Sequence, residues 1–141
     1  MILGITGSRY FEKEIFNPDL EYIKNRLKLD FSKIEKVVSG GAVGFDQTFE
    51  NYIITNYPSI ELEIIKPDYS LPNKKMAPIL RNKTIVEKSD FILAIVSNLE
   101  SKGTQSTIKF AKELNKNFRL YLYEYQGPDL KLLEKPLWEL L

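Results

Sequence analysis

Three short turns rich in glycine and hydroxyl residues carry the chemistry that this sequence can support. They are Gly7-Ser8-Arg9, Ser39-Gly40-Gly41-Ala42-Val43-Gly44-Phe45-Asp46 and Lys102-Gly103-Thr104. The second turn follows an apolar run and precedes a helical pattern, so the first amide groups of that helix are expected to be unpaired. The helix macrodipole adds a partial positive charge at the same end. We therefore predict a phosphate-binding loop, in which Gly40 and Gly41 let the ligand approach the backbone.

Side chains beside these turns suit the oxygens of a phosphate or a sugar. Ser8 supplies a hydroxyl, and Arg9 supplies a forked cation that can contact two phosphate oxygens. Asp46 either complements the helix N-terminus or hydrogen-bonds a ribose hydroxyl, and both interpretations stay open. Thr104 is interpreted mainly as a helix N-cap, although the same amides can hold a second phosphate. Lys102 is an additional candidate cation.

Composition excludes several classes of site. The 141 residues include no cysteine and no histidine, and the net charge is +1. Disulfides, thiolate nucleophiles, Ser-His-Asp triads and metal sites built from Cys or His are therefore excluded, and we expect no metal and no bound cofactor. A near-neutral chain gives no overall electrostatic field that favours nucleic acid.

Apolar runs alternate with helical patterns along the chain. The predicted strands are Ile2–Thr6, Ile34–Ser39, Ile60–Ile65, Phe91–Val96 and about Arg119–Tyr123. The predicted helices begin near Asn17-Pro18, Phe45, Pro78 and Gly103-Thr104. This β-α alternation predicts an α/β fold with a parallel sheet. We expect a single Rossmann-like, doubly wound sheet in the strand order 3-2-1-4-5, with helices on both faces.

This strand order brings the three turns together. They follow strands 1, 2 and 4, which are neighbours in the predicted sheet, and all three lie at its carboxyl edge. The strand order reverses between strands 1 and 4, and ligands of such sheets bind in the crevice there. The sequence therefore predicts one crevice for a ligand that carries phosphate.

The same motifs resemble the SLOG superfamily, and in particular its YspA-like branch of small single-domain proteins. The resemblance covers residues 4 to about 123 and includes, besides the three turns, Pro67-Asp68-Tyr69, Ala77-Pro78-x-x-Arg81-Asn82 and Ser89-Asp90. Its relatives include the DNA-processing protein DprA and the LOG phosphoribohydrolases. The resemblance implies binding of a nucleotide or a nucleotide-derived ligand, as a sensor, carrier or sequestering protein.

The resemblance also implies positions for the remaining candidate residues. It places Arg81 and Asn82 at the crevice, where a solvated helix face is the alternative interpretation. Asp68 and Tyr69 follow strand 3, where the tyrosine could stack on a base, and ordinary turn residues are the alternative. The ligand-binding set is then Gly7, Ser8, Arg9, Ser39, Gly40, Gly41, Ala42, Asp46, Asp68, Tyr69, Arg81, Asn82, Lys102, Gly103 and Thr104.

Two alternative functions stay open. The first is N-glycoside hydrolysis or transfer on a nucleotide. The phosphoribohydrolases carry a Pro-Gly-Gly-x-Gly-Thr turn followed closely by an acid, whereas here the double glycine is missing and the next acid is Glu113. No catalytic residue is therefore assigned, although Asp46 or Glu87 could supply a carboxylate. The second alternative is DprA-like binding of single-stranded DNA, which would need a basic groove with aromatic side chains.

We expect residues 1–126 to form the nucleotide-binding domain and residues 127–141 to form an amphipathic extension of it. Leu133, Leu137, Trp138 and Leu141 fall on one apolar stripe, which either docks on the domain or forms a homo-oligomer interface. A dimer is expected because family relatives often pair. No apolar run approaches a membrane span, and the N-terminus does not resemble a signal peptide. We therefore expect a cytoplasmic protein without a membrane partner.

Overall fold

The sheet has the predicted order of parallel strands. The computed structural model describes residues 1–8, 29–96, 102–126 and 129–133. In that part of the chain, five parallel strands lie in the order β3-β2-β1-β4-β5. Their bounds are β1 Ile2–Gly7, β2 Lys36–Ser39, β3 Glu61–Ile64, β4 Phe91–Val96 and β5 Asn117–Gln126. The order reverses between β1 and β4, as the connection rules for parallel sheets predicted.

Three α-helices belong to the described residues: α1 Phe45–Asn56, α2 Ala77–Lys88 and α3 Lys102–Glu113. Short 3-10 turns cover Phe31–Lys33 and Lys74–Met76. Helix α1 ends at Asn56, where the Tyr57 amide makes the last bond, to the Ile53 carbonyl, and Pro58 has no amide hydrogen to continue the helix. Proline at the second position of α2 costs no hydrogen bond, since the first amides of a helix have no partner within it.

The helices cover both faces of the sheet, as expected. On one face, Phe45 and Phe49 of α1 pack in the largest cluster of buried side chains, which includes Leu93 and Ile95 of β4. On the other face, α2 and α3 pack over side chains that point the opposite way, among them Ile92 and Ala94. Strand β4 is buried on both sides, which explains its continuous apolar run.

A sixth strand, β6 Asp129–Leu133, was not predicted. It pairs antiparallel with β5 and so forms the edge of the sheet. Strand β5 is also longer than expected, since it runs from Asn117 to Gln126. The sequence analysis interpreted residues 127–141 as an amphipathic extension. In the structure, Asp129–Leu133 of this extension pair with β5. The predicted helix after Asn17-Pro18 and the stripe residues Leu137, Trp138 and Leu141 lie outside the described residues.

Candidate functional site

Backbone hydrogen bonds at the carboxyl edge of the sheet join the end of β1 to β4 and to the start of α1. The Ser8 amide donates to the Ile95 carbonyl over 3.1 Å, which ties the end of β1 to β4. The Ser8 carbonyl accepts from the Phe45 amide over 3.1 Å, which ties the same residue to the start of α1. Ser8 is 6% exposed, so these bonds are shielded from water. The first two glycine-containing turns are therefore in direct contact.

Neighbouring residues of α2 connect the loop after β2 with the start of α3. The guanidinium of Arg81 donates from Nη1 to the Gly40 carbonyl over 2.8 Å and from Nε to Asn82 Oδ1 over 3.0 Å. Asn82 Nδ2 in turn donates to the Gly103 carbonyl over 3.3 Å. Asn82 is 7% exposed, and Arg81 is half-buried. The structure thus brings Arg81, Asn82, Gly40 and Gly103 together at one place.

Several amides of the loop from Ser39 to Asp46 donate to acceptors within the protein, which corrects part of the prediction of unpaired donors. The Ala42 amide donates to Asp46 Oδ2, and the Gly41 amide donates to Ser39 Oγ, each over 3.3 Å. The Gln47 amide of α1 donates to the Ala42 carbonyl in the loop before the helix. For these amides the prediction was wrong, because the loop supplies its own acceptors. The carboxylate of Asp46 lies where an anionic ligand was expected, so it does complement the start of the helix.

Glycine is required in this loop for two different reasons. Gly41 has a φ of +67° and Gly44 a φ of +102°, which are values that other residues rarely adopt. Gly40 is buried under Arg81, and a Cβ there would lie 2.8 Å from Nη1. The Arg81 guanidinium therefore occupies the space that a side chain at position 40 would take. A ligand could approach the Gly40 backbone from this side, as predicted, only if Arg81 moved.

Two carboxyl groups lie in the core of this site. Asp46 is 6% exposed and Glu50 is 7% exposed, and they lie one turn apart on α1. Glu50 Oε1 accepts from the Ser39 hydroxyl over 2.7 Å. Asp46 Oδ1 is buried and has no hydrogen-bond partner among the residues described. Sequence reasoning missed Glu50, although its spacing of four residues from Asp46 was a usable signal.

Burial dominates the titration of both acids. The pKa of Asp46 is raised to about 7, because desolvation and the charge of Glu50 together outweigh the lowering effects of the Ala42 and Gly40 amides and of the Arg81 guanidinium. Burial also raises the pKa of Glu50, against the lowering effect of the Ser39 hydroxyl. Near neutral pH, Asp46 can therefore gain or lose a proton. Histidine usually has this role, but the sequence contains none.

The turn before α3 differs from its predicted form. The helix begins at Lys102, so Thr104 lies inside its first turn and is not the N-cap that the sequence predicted. Thr104 is 4% exposed, and Lys102 is exposed. Gly103 is also exposed, and a Cβ built on it would meet no atom within 4 Å. Packing against the described residues therefore gives no reason for glycine at this position.

Asp68 and Tyr69 are displayed to solvent. Asp68 Oδ1 accepts from the Ser70 amide over 3.0 Å, which is the bonding of a side-chain-closed turn, and the Ser70 bonds lower the pKa of Asp68. Tyr69 is 56% exposed.

Gly7 lies at the end of β1, where a Cβ would lie 2.5 Å from atoms of Phe45 and Ile95. Arg9 lies outside the described residues.

Comparison with protein-family models, with curated proteins and with solved structures found no match to this chain. In the ranges that the structure describes, no three His, Cys, Asp or Glu side chains are grouped so as to hold a metal ion. No helix in these ranges is long and apolar enough to cross a membrane.

Proposed function

We propose that this chain binds a nucleotide or a nucleotide-derived ligand in the crevice between Gly40 and Gly103. The observation that carries the proposal is the bridge made by Arg81 and Asn82 between the two turns. It lies at the carboxyl edge of β2, β1 and β4, where the strand order reverses. In open parallel sheets this is the place at which ligands bind.

The chemistry of the crevice suits a phosphate group. Arg81 supplies a planar cation that can contact two phosphate oxygens at once. Helix α3 has twelve residues and directs the positive end of its dipole toward the same place. The empty space over Gly103 lets a ligand approach the backbone there. Since Gly41 and Ala42 already donate within their own loop, we place the phosphate between Arg81 and the start of α3.

The resemblance to the SLOG superfamily and its YspA-like branch stays a proposal that agrees with this site. Its motifs Ser39–Asp46, Arg81-Asn82 and Lys102–Thr104 meet in one crevice, as binding of a shared ligand requires. A cytoplasmic location and a dimer are part of the same proposal. Light scattering coupled to size-exclusion chromatography tests the dimer, and a mass of one chain at micromolar concentration would contradict it.

A second candidate function is hydrolysis or transfer of a nucleotide N-glycosidic bond. The observation that favours it is Asp46, a buried carboxyl whose pKa of about 7 suits proton transfer at neutral pH. In such a step, the acid protonates the departing base while water or a second acceptor takes the sugar. Binding without bond cleavage stays the first proposal, because the acid expected close after Gly103-Thr104 is missing from the sequence.

One panel distinguishes these functions. The purified chain is incubated with AMP, ADP-ribose, cyclic ADP-ribose, NAD and oligonucleotides. Thermal denaturation reports binding, and chromatography reports free base. A shift with a nucleotide and no free base supports the binding function, whereas free base supports the hydrolase. Oligonucleotide binding that weakens steeply with salt would favour the DNA-binding alternative instead. The absence of any shift would contradict the proposed binding.

A further inference from the structure

We infer that the crevice selects a singly charged phosphodiester over a doubly charged phosphomonoester, and that Asp46 and Glu50 impose this choice. The inference rests on the proposed nucleotide binding and names the ligand class within it. The inference depends on the charges of the side chains that surround the proposed phosphate position.

The acids outnumber the cation that faces them. Asp46 and Glu50 are both more than nine-tenths buried beside the Gly40–Ala42 loop. Asp46 accepts a hydrogen bond from the Ala42 amide. Glu50 accepts one from the hydroxyl of Ser39, the residue before Gly40. Of the charged groups in the described residues, Glu50 and Arg81 are those that act on Asp46. Among the buried and half-buried charged groups described at this place, a phosphate bound against Arg81 therefore meets two carboxyl groups and one guanidinium, whereas Lys102 at the start of α3 is exposed to solvent.

The charge of the phosphate decides how well it is tolerated there. A phosphomonoester carries nearly two negative charges at pH 8, whereas a phosphodiester carries one, since a monoester loses its second proton near pH 6. Like charges repel strongly where water is excluded. A second negative charge on the phosphate therefore adds repulsion from Asp46 and Glu50 that the single guanidinium of Arg81 does not offset.

The unpartnered oxygen of Asp46 points to a ligand that carries a hydroxyl group beside its phosphate. Oδ1 is buried without a partner in the part of the chain that the structure describes, and a buried polar atom is costly until it is hydrogen-bonded. The ionised carboxylate at pH 8 can accept a hydrogen bond at Oδ1 from a hydroxyl of the ligand, but not from an unprotonated phosphate oxygen. The ligand then supplies the partner that the described residues lack.

The test compares pairs of ligands that differ in one methyl group. The four ribonucleoside 5′-monophosphates and their methyl diesters are titrated calorimetrically into the whole chain at pH 8. We expect the diester of the preferred base to bind at least tenfold more tightly than its monoester. Monoester binding equal to or tighter than diester binding would overturn the inference and leave nucleotide binding intact. Failure of all eight compounds to bind would overturn the inference, and the absence of any shift in the nucleotide panel as well would overturn the proposed binding.

Variants assign the preference to the acids. Asp46→Asn keeps an acceptor for the Ala42 amide and removes the charge, so the monoester should gain at least tenfold in affinity. Glu50→Gln keeps an acceptor for Ser39 and should act in the same direction, which supplies the readout if Asp46→Asn does not fold. Glu113→Gln, at the exposed far end of α3, is the matched control and should keep the preference. A preference that survives both neutral variants would overturn the inference.

Discussion

Asp46 is a residue whose burial lowers the stability of the folded chain when its carboxyl group is ionised. Its carboxyl is buried beside Glu50, and one of its oxygens has no partner among the described residues. Burial of a charge is costly unless it is paired and hydrogen-bonded. Residues kept at such a cost are often found at functional sites. The raised pKa of Asp46 makes this cost measurable without any ligand.

The first prediction concerns stability against pH. The pKa of Asp46 rises from 3.8 to about 7 on folding, so its contribution favours the folded state below pH 3.8 and is lost as the pH rises through 7. Relative to the parent, Asp46→Asn should therefore gain about 2 to 3 kcal/mol of unfolding free energy between pH 5 and pH 8. Urea unfolding at both pH values measures this gain.

Asp68→Asn is the matched control for that experiment. Asp68 is exposed, and the Ser70 hydrogen bonds lower its pKa. The Asp68 variant should therefore show no gain as the pH rises. If Asp46→Asn and the parent change in parallel between pH 5 and pH 8, the buried carboxyl does not titrate as described.

At the scale of elements, helix α2 holds the crevice together. Arg81 and Asn82 reach from its second turn to the loop after β2 and to the start of α3. Much of this arrangement followed from sequence, because three turns after neighbouring strands must meet at one edge of the sheet. The pairing of Asp46 with the Ala42 amide could not be predicted, because a helix-start acid can serve the backbone or a ligand equally well. Strand β6 was also missed, since its pairing depends on the unpaired edge of β5.

A second prediction concerns Arg81. Replacing it with glutamine removes the cation that we place against the phosphate, and nucleotide affinity should fall at least tenfold. Lys83→Gln is the control, because Lys83 is an exposed cation on the same helix. Calorimetric titration with the nucleotide selected from the panel measures both variants. Equal affinity of the two variants would place the phosphate away from Arg81.

A third prediction separates glycines that the fold needs from one that it does not. Gly7→Ala places a Cβ 2.5 Å from atoms of Phe45 and Ile95, and such overpacking should cost about 1 to 3 kcal/mol. Gly103→Ala meets open space within α3 and should stabilise the chain by up to about 1 kcal/mol. Urea unfolding compares the pair. A loss at Gly103 as large as that at Gly7 would show that Gly103 is held by packing.

At the scale of the whole molecule, the sheet topology determines where the proposed ligand would bind. The order β3-β2-β1-β4-β5 followed from chain connectivity and the hand of parallel crossovers, so the crevice could be placed from sequence. The sequence could not show which glycines of the crevice are needed for the fold. That depends on side chains from distant elements, such as Arg81 over Gly40. Binding at this crevice should stabilise the whole fold, by about 2.7 kcal/mol at a ligand concentration one hundred times Kd.

The most direct test of the proposed binding is thermal denaturation of the parent and of Gly103→Val, each with and without the nucleotide panel. A Cβ at Gly103 meets no described atom within 4 Å, so the unliganded Tm of the variant should stay close to that of the parent. We predict that at least one nucleotide raises the Tm of the parent and that the shift is lost in Gly103→Val. No shift in the parent, or the same shift in both proteins, would contradict a ligand site between Gly40 and Gly103.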